Sequence, residues 1–318
     1  MEKRRAIVKR QAFLHDVVTG LRRSPKHIPS KWFYDERGSQ LFDLLTEQED
    51  YYPPHVERQI MDDHLDEIIS AIGAEVLLIE YGSGSSAKTR TLLDQLTDLV
   101  GYVPIDISGE HLQASVAALR TDYPDLEILP VIADYTLPFD VPVTSRPARR
   151  RVVYYPGSTI SNFHPDVAVE FLRSIREVCG PKGGLILGVD TKKDVATLHR
   201  AYNDRGGVTE AFNLNLLERI NRELDGDFQL DRFRHEGIWN DEHGRIESHL
   251  ISLADQSVTV GGEIFPFEAS EPIVIEFSYK YHPEEFAELA GQAGFEVVSI
   301  WTDEDRMFTI QHLVPATS

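Results

Sequence analysis

Three regions of the chain differ in the rhythm of their apolar and polar positions. In the first, Val8, Phe13, Leu14, Val17, Val18 and Leu21 recur at helical spacing and predict a helix over residues 7–22, which Ser24-Pro25 stops. Leu41, Phe42, Leu44 and Leu45 predict a short second helix, and a third is expected over 54–72 after Pro53-Pro54. From residue 75, short apolar runs alternate with amphipathic stretches. The runs Val76–Ile79, Tyr102–Ile107, Ile128–Ile132, Val152–Tyr155 and Leu185–Val189 read as strands buried on both faces. The stretches near 87–98, 108–121 and 165–178 read as helices. This alternation predicts an α/β core, a doubly wound, mostly parallel sheet with helices on both faces.

After Asp190 the rhythm changes again. Residues 193–224 read as helical, and 228–281 as antiparallel strands with turns at Asp225-Gly226, His243-Gly244 and Gly261-Gly262. A helix over 283–293 and strands near 295–301 and 307–313 close the chain. The expected organisation is a core of residues 60–192 and 283–318, with a second α+β module from 1–59 and 193–282. A cleft between two such modules is the expected ligand site.

Composition narrows the function classes. A net charge of −20 over 318 residues repels phosphate backbones and anionic lipid, so neither nucleic acid nor a membrane surface is expected as partner. No apolar run approaches the roughly 20 residues of a membrane span. The start, MEKRRAIVKRQAF, is basic but lacks the apolar stretch of a secretory signal, so a cytoplasmic protein handling a small molecule is expected. The sequence leaves oligomeric state open, a monomer being compatible with it. The single cysteine, Cys179, excludes an internal disulfide and a cysteine metal site. The histidines show no H-E-x-x-H or other metal spacing, so no metal is expected.

The sharpest local signal is Ile79-Glu80-Tyr81-Gly82-Ser83-Gly84-Ser85-Ser86-Ala87-Lys88, which follows a strand and opens a helix. Glycines there let the backbone turn tightly and let a ligand approach the main chain. Asp106, at the end of the next strand, can accept from both ribose hydroxyls of an adenosine ligand. Gly82, Gly84 and Ala87 fit the dinucleotide pattern, so an NAD-dependent oxidoreductase stays open at this point. Asp134-Tyr135 after the third strand favour S-adenosylmethionine, with the carboxylate accepting from the adenine amino group and the ring packing on the base. Ser85 to Lys88 also spells S-x-x-K, but the other acylase signatures are missing. Arg146 and Arg149–Arg151 form a basic run that reads as a solvated loop.

Further motifs match a known family. They are Lys31-Trp32-Phe33-Tyr34-Asp35-Glu36-Arg37-Gly38-Ser39, Tyr51-Tyr52-Pro53, the glycine loop through Lys88-Thr89-Arg90, and Pro156-Gly157-Ser158-Thr159-Ile160-Ser161-Asn162. Ala201-Tyr202-Asn203-Asp204 leading to Gly207-Val208-Thr209, and Glu276-Phe277-Ser278, complete the set. In order and spacing the chain resembles, over nearly its whole length, the histidine-specific methyltransferases of ergothioneine biosynthesis. These use S-adenosylmethionine to trimethylate the α-amino group of L-histidine, giving hercynine. The resemblance implies a Rossmann-like class I methyltransferase core with an antiparallel last strand. It implies that Tyr34, Gly82, Gly84, Lys88, Asp106, Asp134 and Tyr135 line the methyl-donor site. It implies too that Tyr51, Asn162 and Tyr202 hold the amino-acid end of the substrate, and that Glu276 and Ser278 hold the imidazole with Thr209 nearby. Tyr34 is the candidate catalytic group, its phenol oxygen touching the reacting nitrogen. Tyr135 stands where the family has Phe, and Ser248 where some relatives carry Met near the ring, which leaves another amino acid or an aromatic amine open as the substrate.

The residues support part of this unaided. Residues 273–280 alternate, with Ile273, Ile275, Phe277 and Tyr279 on one face and Val274, Glu276, Ser278 and Lys280 on the other. Glu276 and Ser278 therefore sit side by side, about 7 Å apart. A carboxylate can accept from one imidazole nitrogen while a hydroxyl donates to the other. A solvent-facing strand with ordinary polar residues would show the same alternation. Asn162 follows the fourth core strand, where ligands of open α/β sheets bind; a cap on the helix near Pro165 is its other reading.

Overall fold

A computed structural model describes residues 2–84 and 87–317. Along the chain come α1 (Glu2–Leu21), β1 (Lys26–His27), α2 (Glu36–Thr46), α3 (Pro53–Asp63), α4 (Leu65–Ile72), β2 (Val76–Tyr81), α5 (Ala87–Leu93), β3 (Leu99–Asp106), α6 (Gly109–Asp122), β4 (Val131–Ile132) and β5 (Arg150–Tyr155). There follow α7 (Pro165–Cys179), β6 (Gly184–Asp190), α8 (Val195–Tyr202), α9 (Val208–Leu224), β7 (Phe233–Asn240), β8 (Arg245–Ser252), β9 (Gln256–Val260), β10 (Glu263–Phe267), β11 (Pro272–Tyr279), α10 (Pro283–Gln292), β12 (Phe295–Thr302) and β13 (Phe308–Pro315). The chain forms two compact units, Met1–Tyr51 with Asp194–Ser278, and Tyr52–Lys193 with Tyr279–Ser318. The divides thus fall at 51/52, 193/194 and 278/279, against the expected 59/60, 192/193 and 282/283.

The second unit is built on a seven-stranded sheet of order β12-β13-β6-β5-β2-β3-β4. Strands β2 to β6 run parallel, and β13 lies antiparallel to both β6 and β12. This is the doubly wound sheet with an antiparallel last strand that the resemblance implies. Every residue of β2 and of β6 is buried, which is why their stretches Val76–Ile79 and Leu185–Val189 read as apolar runs. Strand order reverses between β2 and β5, and ligands of such sheets bind beyond the carboxyl ends of the strands at that point. Helix α3 belongs here because Ile60 and Met61 join the apolar cluster of Leu78, Tyr154, Trp301 and Phe308.

The first unit carries a four-stranded sheet of order β1-β11-β8-β7 and a β9–β10 hairpin. Its core joins Phe13, Val17, Trp32 and Phe33 to Phe212, Leu216, Ile273 and Ile275. The antiparallel expectation holds for β7–β8 and β9–β10, whereas β1 pairs in parallel with β11, Lys26 opposite Ile273.

Two helices expected as continuous are broken. The 54–72 helix divides at His64, whose φ of −120° leaves the helical region. The 193–224 helix divides between Tyr202 and Val208, where Gly207 takes φ +70°. The strand expected at 128–132 is reduced to Val131–Ile132, with Ile128 making one isolated bridge to Tyr102. Among the described residues no helix is long and apolar enough to cross a membrane.

Candidate active site

In the second unit, the chain leaves β2 at Tyr81 and turns through Gly82 (φ +70°) and Gly84 (φ +49°). The amides of Gly82 and Ser83 donate to the Ile105 carbonyl at 2.9 and 3.1 Å. Gly84 N–H donates to Asp106 Oδ2 at 3.0 Å, and Ser108 N–H donates to Asp106 Oδ1 at 2.7 Å. The Asp106 carboxylate therefore ties the loop to the end of β3, and each of its oxygens has a second lone pair for a ligand hydroxyl. A Cβ built on Gly84 would meet nothing within 4 Å, so open space lies beside that carboxylate. One built on Gly82 would stand 3.7 Å from the Tyr135 ring. Tyr135 stacks on Tyr81 with centroids 5.3 Å apart, and Tyr155 and Phe171 extend this aromatic wall. Burial pushes the Tyr135 phenol up to about 12. Asp134 Oδ1 accepts from Thr136 N–H at 3.0 Å and from the Thr136 hydroxyl at 2.5 Å. Ser85 and Ser86, with the S-x-x-K spacing they open, lie outside the described residues.

The charges around the loop separate its two candidate ligands. Lys88, in the first turn of α5, is ion-paired with the buried Glu57. Glu80 is also buried and accepts from the Thr89 and Tyr102 hydroxyls; burial raises its carboxyl to about 7 against those hydrogen bonds. Glu57, Glu80 and Asp106 thus place carboxylates near the loop, and Lys88 is already neutralised. A pyrophosphate would add two negative charges here, whereas a sulfonium brings a positive one. The aromatic wall, the open space at Gly84 and the Asp106 carboxylate fit S-adenosylmethionine.

Asn162 lies in a single 3-10 turn, Thr159–Asn162, after β5. The cap of α7 is His164, so Asn162 does not serve as that cap. Sequence reading missed a buried cluster at the end of β6. Tyr52 hydroxyl contacts both Asp190 oxygens at 2.8 and 2.7 Å, with Lys193 at 2.5 Å from Oδ1 and Lys280 at 2.6 Å from Oδ2. Burial works to raise the Asp190 carboxyl, but the two ammoniums outweigh it and hold the carboxyl below its usual range. Burial brings Lys193 down to about 8 despite Asp190. The available signal was an aspartate closing an otherwise apolar strand.

In the first unit, Tyr34 is half-buried, its ring edge-on to Phe42 at 5.6 Å and tilted against Phe212 at 5.9 Å. The motif around it is largely scaffolding. Trp32 and Phe33 are core residues, and Asp35 caps α2 by accepting from Gly38 N–H at 2.7 Å. Asn215 Nδ2, at 2.9 Å, and Arg222 also donate to Asp35. Burial opposes ionisation of Asp35, but these hydrogen bonds and the Arg219 charge keep its carboxyl below the usual range.

Tyr51 and Tyr202 meet edge-to-face at 6.0 Å, and the Tyr202 hydroxyl hydrogen-bonds to the Ser278 hydroxyl at 2.8 Å. Three predicted residues are thus brought together from α8, β11 and the end of the first segment. Tyr202 is held by its neighbours: its carbonyl bonds with His235 Nε2 at 2.7 Å, and Asn203 exchanges two hydrogen bonds with the Gly237 backbone. A Cβ on Gly237 would stand 2.8 Å from Tyr202 Cβ, so β7 carries glycine there. Asp204 accepts from Val208 and Thr209 amides at 2.9 and 2.7 Å, fixing Thr209 in the first turn of α9. Glu276 is half-buried and Ser278 buried, and Val274, at the alternate position of β11, is buried too, so β11 is not a solvent-facing strand. Phe277 on the other face lies between His27 at 5.6 Å and the Arg245 guanidinium at 3.9 Å. Ser248 is buried in β8 opposite Gly237. Among the described residues no group of three or more His, Cys, Asp or Glu side chains could hold a metal ion.

Comparison with known proteins agrees with this chemistry. The family described as histidine-specific methyltransferase, SAM-dependent, matches residues 13–315. A histidine N-alpha-methyltransferase of Mycolicibacterium smegmatis is 41% identical over 300 residues, 92% of each chain. One from Mycobacterium tuberculosis is 40% identical over 299 residues, again 92% of each. Ergothioneine biosynthesis protein 1 of Neurospora crassa is 32% identical over 288 residues, 87% of this chain and 32% of that longer one.

Proposed function

This chain belongs to the family of histidine-specific, S-adenosylmethionine-dependent methyltransferases, and on that premise we propose that it trimethylates the α-amino nitrogen of L-histidine to hercynine in ergothioneine biosynthesis. The observation that carries this reading is the extent of the family match, residues 13–315, which takes in every candidate donor and substrate residue. Bound S-adenosylmethionine supplies an electrophilic methyl group. The chain's own residues position the partners. Asp106 and the Gly82–Gly84 turn receive the adenosine, with Asp134 and Tyr135 at the base and Lys88 at the amino-acid end. Tyr51, Tyr202 and Asn162 hold the ammonium and carboxylate of histidine, and Glu276 with Ser278 holds its ring. Rate enhancement comes chiefly from alignment of amine and methyl. A site that excludes water also lowers the amine pKa, favouring the neutral form that attacks.

Mass spectrometry after incubation with S-adenosylmethionine and each proteinogenic amino acid tests the proposal. Mono-, di- and trimethylated histidine are expected; a product on another amino acid instead overturns the substrate assignment. Glu276→Ala should weaken histidine binding by about 1.5–3 kcal/mol, the range for a hydrogen bond to a charged group. Calorimetry should show S-adenosylhomocysteine binding nearly unchanged in the same variant; equal losses for both ligands would point to a folding defect.

A further inference from the structure

Glu57 lies on the buried face of α3 with Pro53, Ile60 and Met61, and it is 1% exposed. A carboxylate this far from water persists only where its lone pairs are answered. Its Oε2 meets the Lys88 ammonium, and its Oε1 accepts the Gly157 N–H at 2.8 Å. Strand β6 makes room for it: a Cβ on Gly188 would stand 2.6 Å from Glu57 Oε1. Lys88 opens the helix after β2, and Gly157 (φ +78°) turns the chain after β5. These are the two strands between which the sheet order reverses. A Cβ on Gly157 would lie 3.7 Å from Lys88 Nζ. One buried carboxylate from α3 therefore fastens both walls of the crevice at the point where ligands of such sheets bind.

We propose that Glu57 is a positioning residue for the methyl donor, acting through Lys88: anchored at the Gly157 turn, it holds the Lys88 ammonium in the arrangement that receives the donor's amino-acid end. The inference rests on the donor reading of this loop. An unrestrained lysine must lose its side-chain freedom when it grips a ligand; one held by a buried partner has lost it on folding. An ammonium carries three N–H donors, so pairing with Glu57 leaves donors for a ligand carboxylate. Lys88 also cancels the charge of Glu57, which would otherwise repel that carboxylate.

The test is calorimetric titration with S-adenosylhomocysteine alongside steady-state kinetics. Glu57→Gln should weaken binding about tenfold, raise the donor KM by a similar factor, and leave kcat at saturating donor within about twofold. Lys88→Met should weaken binding at least as much, and the double variant should bind no more weakly than Lys88→Met alone, because Glu57 acts through Lys88. A purely structural role would instead lower kcat and donor affinity together. Glu57→Asp keeps the charge and withdraws it by one methylene; a loss of a fewfold is expected, which keeps the test decisive if Glu57→Gln is recovered in poor yield. Wild-type or tighter binding in either Glu57 variant, or a double variant whose loss is the product of the single losses, overturns the proposal while leaving the donor reading intact. Failure of the unsubstituted protein to bind S-adenosylhomocysteine overturns both.

Discussion

Tyr34 illustrates what one residue owes to its surroundings. Its ring is held by Phe42 and Phe212, so Tyr34→Phe keeps the packing and removes only the hydroxyl, a change expected to cost about 1 kcal/mol of stability or less. If the hydroxyl touches the reacting nitrogen, the variant should change the proportions of mono-, di- and trimethylated product, measured by mass spectrometry under single-batch turnover. Unchanged proportions would remove Tyr34 from the mechanism. The motif around Tyr34 was legible as a string, but the reason for its neighbours was not. Asp35 is answered by Asn215 and Arg222 from α9, and Gly38 is glycine because a Cβ would stand 1.8 Å from the Phe33 carbonyl oxygen. Contacts across such sequence distances leave no periodic trace.

The strands of the parallel sheet were readable because burial on both faces forces a continuous apolar run, and β2 carries one exception. Glu80 sits in an otherwise apolar or aromatic strand, and burial raises its carboxyl from 4.5 to about 7. Between those values the folded chain holds a proton that the unfolded chain has released, so this group lowers stability progressively as pH rises from about 4.5 to about 7. Glu80→Gln should abolish that slope, and the stability difference between the two proteins should change by up to about 3 kcal/mol across the window. Urea midpoints at a series of pH values check this; parallel curves would mean that Glu80 titrates normally. The two-residue strand β1 was too short to register in any pattern, whereas the apolar run at 128–132 did register but pairs over only its last two residues, Val131–Ile132. The break at His64 was missed because neither glycine nor proline marks it.

At the scale of the molecule, charge is the property most directly legible in composition. A net charge of −20 opposes compaction through self-repulsion, and salt screens it, the Debye length falling from about 30 Å at 0.01 M to about 8 Å at 0.15 M. The thermal midpoint should rise by about 2–4 °C over that range, as a gain of 1 kcal/mol would give for a large domain; scanning calorimetry at both ionic strengths checks it, and a flat or falling midpoint would show that the acidic groups are already locally compensated. The change of rhythm along the chain gave a reason to expect two discontinuous parts, whereas nothing announced the Tyr52–Asp190–Lys193–Lys280 cluster, since it draws on separate segments with no shared motif. The parallel pairing of β1 with β11 bears on how the polypeptide is made. The opening segment, with Phe13, Trp32 and Phe33, cannot complete its core until β11 has left the ribosome, roughly 12–50 s later at 5–20 residues per second. Throughout that interval the nascent chain presents sticky aromatic surface, and chaperone capture is most useful to it then.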